Sequence, residues 1–132
     1  MISVIYGSKG TGKTKALIEK ANNVVADSKG TVVYITDTRE HMYDVKYQVR
    51  YIAAREYGID TLPQLIGFIK GIIAGDHDIE YIFIDGAYRI ARVDIADLKE
   101  LFELMEDFDD IHFNVTISSD YDALPEYIKK YV

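Results

Sequence analysis

The chain of 132 residues contains no cysteine. That excludes disulfides and thiolate zinc sites and makes a cytoplasmic location the expectation. No apolar run approaches the ~20 residues of a membrane-spanning helix. The N-terminus leads directly into a strand, without the basic region and apolar core of a secretion signal. Positive charge is scarce: 15 Lys and Arg stand against 22 Asp and Glu, for a net charge of −7. This balance argues against nucleic acid as a partner, because phosphate backbones are bound through basic surfaces. His41, His77 and His112 have no spacing that suggests a metal site. Length alone fits one domain, residues 1–132, large enough to bury roughly two-thirds of its unfolded surface.

What the chain does have is concentrated at its start. Ile2 to Tyr6 is a short, mostly apolar run that reads as a buried strand. Gly7, Ser8, Lys9, Gly10, Thr11, Gly12, Lys13 and Thr14 then match G-x-x-x-x-G-K-[ST] at every fixed position. Good helix formers follow, giving a first helix over residues 13–27. Strand, glycine loop and helix are the context a phosphate-binding P-loop requires. Glycines let the backbone approach a ligand, and successive N–H groups with the helix N-terminus form an anion nest. Lys13 is expected at the β- and γ-phosphates, and the Thr14 hydroxyl on Mg²⁺.

The second motif lies about 70 residues on. Ile79 to Ile84 is an apolar strand that ends in Asp85. This is the Walker B pattern, delivering one carboxylate to the sheet edge to hold Mg²⁺ opposite Thr14, partly through water. Lys13 and Asp85 are therefore the expected catalytic pair. Many ATPases carry a water-orienting Glu directly after this Asp; here Gly86 and Ala87 stand there. Asp37, Glu40 and Asp120 are the acidic substitutes. Arg89 and Arg92 read either as phosphate-sensing cations or as surface ion pairs.

Between the motifs, residues 31–36 form an apolar strand suited to a covered parallel sheet. Asp37, Thr38, Arg39 and Glu40 follow at its carboxyl end, for water or phosphate contact or for a helix cap. Asp27-Ser28-Lys29-Gly30 matches D-x-x-G but precedes a strand and reads as a turn; the guanine-reading N-K-x-D pattern is absent. Residues 41–57 fit both periods, and we expect a short helix to Tyr47 and an edge strand at 50–53. Thr61 and Pro63 open a helix over 62–74. Its Gly67, Gly71 and Gly75 offer a small-residue side, either pressed on the sheet or forming a homo-oligomer or partner interface through residues 62–75. Asp94 is expected to cap an amphipathic helix over 94–108, whose acidic face is solvated or docks a basic partner. Residues 111–118 form another strand, with Ser118 and Ser119 at its carboxyl end as candidate γ-phosphate contacts. A last short helix runs to residue 132.

Alternating strands and helices specify an α/β fold of three layers, with a mainly parallel sheet and helices on both faces. Residues 7–14 and 79–85 resemble the P-loop NTPase superfamily, and the G-T-G-K-T loop and the layout resemble its RecA-like and AAA-like ATPases. The whole chain is similar to small stand-alone P-loop proteins of anaerobic bacteria, some labelled twitching-motility ATPases, a label that implies a hexameric motor. The resemblance implies a main strand order of 1-4-3-2, counting the four main strands along the chain. It also implies ATP or ADP as ligand and Mg²⁺ as cofactor. The expected function is a Mg-ATP-binding NTPase whose hydrolysis is slow or partner-activated. The alternatives are a nucleotide-binding assembly module without turnover, or a small-molecule kinase.

Overall fold

The computed structural model describes all residues 1–132. Five runs rich in apolar residues pair as one all-parallel sheet: β1 (Ile2–Gly7), β2 (Thr31–Thr36), β3 (Arg50–Ala53), β4 (Ile79–Asp85) and β5 (His112–Ser118). Their order is β1-β5-β4-β2-β3. The order 1-4-3-2 counted four strands only; the sheet has five, because Arg50–Ala53 joins in parallel outside β2. The strand ending in Ser118 lies between the strand ending in Gly7 and the strand ending in Asp85.

Alternation along the strands sends side chains to two faces. Val4, Val33, Ile35, Ile82, Ile84, Phe113, Val115 and Ile117 belong to the larger core, which packs under α2 (Leu62–Gly75), α3 (Ala87–Ala91), α4 (Lys99–Glu106) and α5 (Glu126–Lys129). The residues between them, Val32, Tyr34 and Phe83, meet Leu17, Ile18 and Ala21 of α1 (Lys13–Asp27). On this second face an aromatic ladder crosses the sheet from Tyr51 through Tyr34, Phe83 and Tyr81 to His112, with successive ring centroids 5.0–6.4 Å apart. β5 contributes polar Asn114 and Thr116 in the alternate positions, both buried. Lys20 of α1 donates to the Asn114 amide oxygen.

The helices differ from expectation where tertiary contacts intervene. Residues 94–108 do not form one helix. A 3₁₀ turn (Ile95–Leu98) leads into α4, and the Asp94 side chain makes no cap bond. The Tyr127 hydroxyl donates to the Ile95 carbonyl and accepts the Leu98 N–H, taking two backbone groups that a continuous helix needs. The helix expected up to Tyr47 is a single turn, Met42–Asp44. The final helix is only Glu126–Lys129. Thr61 and Gln64 do close a capping box on α2. Leu65, Ile66 and Ile69 bury that helix, whereas Gly67, Gly71 and Gly75 face open space.

Gly30 is fixed by proximity. The Thr31 N–H donates to the Asp78 carbonyl at 2.8 Å, and a Cβ on Gly30 would fall 2.0 Å from that oxygen. Gly30→Ala is expected to destabilise the protein by about 1–3 kcal/mol, as overpacking does. Gly71→Ala, with no atom in its way, should stabilise by about 0.5–1 kcal/mol through helix propensity. Urea unfolding of both variants checks the pair of opposite signs.

Candidate functional site

The site lies at the carboxyl edge of the sheet, where β1, β4 and β5 end side by side. β1 stops at Gly7, and the chain turns through residues 8–12 into α1. Gly12 holds the turn at φ 84, a left-handed conformation that favours glycine. The Thr11 hydroxyl donates to the Ser8 carbonyl at 2.7 Å, and Lys13 Nζ donates to the same oxygen at 2.8 Å. Lys13 is 9% exposed, so its ammonium is held inside the curl of its own loop.

Asp85 is the most constrained polar group of the site. Parallel register sets it beside Thr116 on β5. Thr116 Oγ1 donates to Asp85 Oδ1 at 2.7 Å and accepts the Gly86 N–H at 3.0 Å. Thr14 Oγ1, from the first turn of α1, donates to Asp85 Oδ2 at 2.9 Å. The Tyr34 hydroxyl donates to that oxygen at 3.4 Å. Burial, then the charge of Asp85, pushes the Tyr34 phenol far above its ordinary range, so it stays a proton donor. Asp85 is 2% exposed and has no ion-pair partner within 4 Å; three hydroxyls from α1, β2 and β5 hold it instead.

A cation borders this carboxylate. Arg89 Nε donates to Asp37 Oδ2 at 3.0 Å, and Arg89 lines the same cavity of about 270 Å³ as Lys9, Lys13, Thr14 and Asp85. Gly86 lies under the guanidinium: at φ 71, a Cβ there would sit 2.5 Å from Arg89 Cζ. Arg55 fixes the helix that carries Arg89, donating to the carbonyls of Arg89 and Ile90 at 2.8 Å. Burial works against the Asp37 carboxylate, but its bond to Arg89 and that charge outweigh burial, so its pKa lies below the ordinary value. The Arg89 pKa is raised: burial opposes the charge and the Asp37 bond prevails.

Of the residues singled out from sequence, Lys9, Gly10, Gly12, Lys13, Thr14, Asp85, Arg89 and Ser118 line one cavity, with Asp37 joined through Arg89. Ser118 accepts the Tyr88 hydroxyl at 2.6 Å. Gly7, Ser8 and Thr11 belong to the same turn without lining the cavity, and five further candidates fall outside: Arg39, Glu40, Arg92, Ser119 and Asp120, whose Oδ1 accepts the Ala123 N–H at 3.1 Å. Arg39 pairs with Glu56 at 2.6 Å on the surface. Glu40 is exposed and lies 3.8 Å from His41. Arg92 is exposed and ends α3 at φ 55. The Ser119 hydroxyl turns to the Asp120 carbonyl. Sequence reasoning missed Thr116, Tyr34, Tyr88 and Arg55. For Thr116 a signal existed, since Asn114 and Thr116 alternate with Phe113, Val115 and Ile117, but only the register shows that it meets Asp85. No family model matches the chain, and no curated protein is significantly similar to it.

Thr116→Val would leave both a buried carboxylate oxygen and the Gly86 N–H without their partner, so a loss of about 1–3 kcal/mol is expected on urea unfolding. Asp37 gives a pH signature. Its folded pKa is lowered, so its contribution is present above the ordinary value of 3.8 and is lost as pH falls through the folded value. The stability gap between the native protein and Asp37→Asn should therefore be widest near neutrality and close in acid. A gap independent of pH would contradict the ion pair.

Proposed function

We propose that the protein is a Mg-ATP-binding P-loop NTPase whose hydrolysis is slow or requires a partner. The observation that carries this reading is the 2.9 Å contact of Thr14 Oγ1 with Asp85 Oδ2, formed beside Lys13 by residues 71 positions apart. A hydroxyl and a buried carboxylate are hard oxygen donors that suit Mg²⁺, which keeps several waters and binds with phosphates. No cluster of three or more His, Cys, Asp or Glu side chains is present, so the remaining ligands would be phosphate and water. Bound there, Mg²⁺ would neutralise charge on the β- and γ-phosphates.

The chain's own residues then have distinct roles. Backbone N–H groups of residues 8–14 cradle the phosphates, aided by the N-terminus of α1. Lys13 leaves the Ser8 carbonyl for phosphate oxygens. Thr14 and Asp85 hold the cation. Arg89, which lines the same cavity, supplies a further positive charge, steadied by Asp37.

A slow reaction follows from what stands after Asp85. Gly86 brings no carboxylate to orient water, and the Arg89 guanidinium covers it. The same observation favours a second reading, a nucleotide-dependent assembly module without turnover. Calorimetry with Mg-ATP should give a dissociation constant that Lys13→Ala weakens at least about tenfold, the equivalent of one charge-assisted contact. An unchanged constant would contradict the reading of the loop. Single-turnover phosphate release separates the two readings: the first expects release above the Lys13→Ala control, the second none.

A further inference from the structure

Beyond Thr14 lies a second and larger cavity, of about 560 Å³, which shares that threonine with the cavity over Asp85. One wall is the face of α1 bearing Lys15, Ile18, Glu19 and Asn22, stacked by three- and four-residue spacing. The opposite wall is His41 and Asp44, on the single turn that follows β2. Asn22 ties the walls together. Its Nδ2 donates to the Asp44 carbonyl and its Oδ1 accepts the Lys46 N–H, both at 2.9 Å. The turn is also closed within itself, by the Asp44 N–H on the His41 carbonyl at 3.0 Å and by a 3.4 Å contact between their side chains. The slot is thus held open by bonds across it.

Its chemistry differs from that of the first cavity. Ile18 is buried at its floor, and the methylene stems of Lys15 and Glu19 extend the apolar wall. The carboxylates of Glu19 and Asp44 are exposed hydrogen-bond acceptors, that of Asp44 lying 3.4 Å from the His41 ring. Two carboxylates against one ammonium make poor company for a phosphate group. A slot with one apolar residue, Ile18, the methylene stems beside it, the His41 ring and acceptors at its rim suits a heterocycle that carries N–H donors, and the volume is that of a small-molecule site.

Taking residues 7–14 as the triphosphate cradle, on which this step rests, we infer that the slot between α1 and the His41–Asp44 turn holds the nucleoside of the bound nucleotide. The base packs on Ile18, and its N–H groups face Glu19 and Asp44. Lys15, one residue past the shared Thr14, lines only the slot. The competing platform is the exposed ring pair of Tyr6 and Tyr121, with centroids 5.9 Å apart at the other end of the loop. The Lys129 ammonium already lies 5.2 Å over the Tyr121 ring.

Calorimetry with Mg-ATP and with Mg-tripolyphosphate tests this through the ratio of the two affinities, which cancels changes in the field at the loop. The native protein should prefer ATP by at least about tenfold. The double variant Glu19→Ala, Asp44→Ala, which removes exposed side chains and leaves the Asn22 bonds intact, should reduce that ratio about five- to tenfold. Tyr121→Ala should leave it unchanged. A native ratio near one overturns the inference, as does a ratio that falls with Tyr121→Ala and not with the double variant. Native protein that binds neither ligand contradicts the reading of the glycine loop itself, a result distinguishable from the other two.

Discussion

The buried carboxylate of Asp85 is the constraint around which this structure is arranged. A charged oxygen pair at 2% exposure is costly unless its lone pairs are occupied. Here the occupants are hydroxyls from three elements: Thr14 on α1, Tyr34 on β2 and Thr116 on β5. Each depends on the sheet order. β5 must lie directly beside β4 for Thr116 to reach Asp85, and β2 must lie on the other side for Tyr34 to do so. Helix α1 must cross the same face for its first turn to bring Thr14. The strand order and the polar site are therefore one requirement seen from two directions.

Charge is distributed to match. The chain as a whole carries −7, yet Lys9, Lys13 and Arg89 converge on one small cavity at the sheet edge. Only one of these cations has a carboxylate partner within salt-bridge distance, Arg89 with Asp37. An acidic protein that gathers unpaired ammonium groups around a glycine turn has a local field suited to polyanions, while its overall charge repels extended ones. On the proposed reading that field selects a compact phosphate chain.

Residues 7–14, the first helix and the strand ending in Asp85 were legible in the sequence because each follows from local chemistry: glycine spacing, helix formers, an apolar run with a terminal acid. The edge strand Arg50–Ala53 forms where expected, although residues 41–57 fit helix and strand periods alike. What the sequence concealed depended on distant partners. The break at residues 95–98 comes from the Tyr127 hydroxyl, 29 residues beyond Leu98. Thr116 is an ordinary β-branched strand residue until register sets it against Asp85. The choice among Arg39, Arg89 and Arg92 was open for a similar reason. Only the fold shows that Arg89 turns into the cavity and pairs with Asp37, while Arg39 spends its charge on Glu56. Of the two readings the glycine spacing of α2 allowed, packing on the sheet does not hold, because Gly67, Gly71 and Gly75 face outward.

On the proposed reading, Thr14 and Asp85 together form a Mg²⁺ site that works only with phosphate bound beside it. The direct measurement is the factor by which Mg²⁺ strengthens ATP binding, compared between the native protein, Thr14→Val and Asp85→Asn. The expected result is a substantial factor in the native protein that collapses towards one in both variants, with binding of ATP without Mg²⁺ retained. A factor unchanged by either substitution would contradict it.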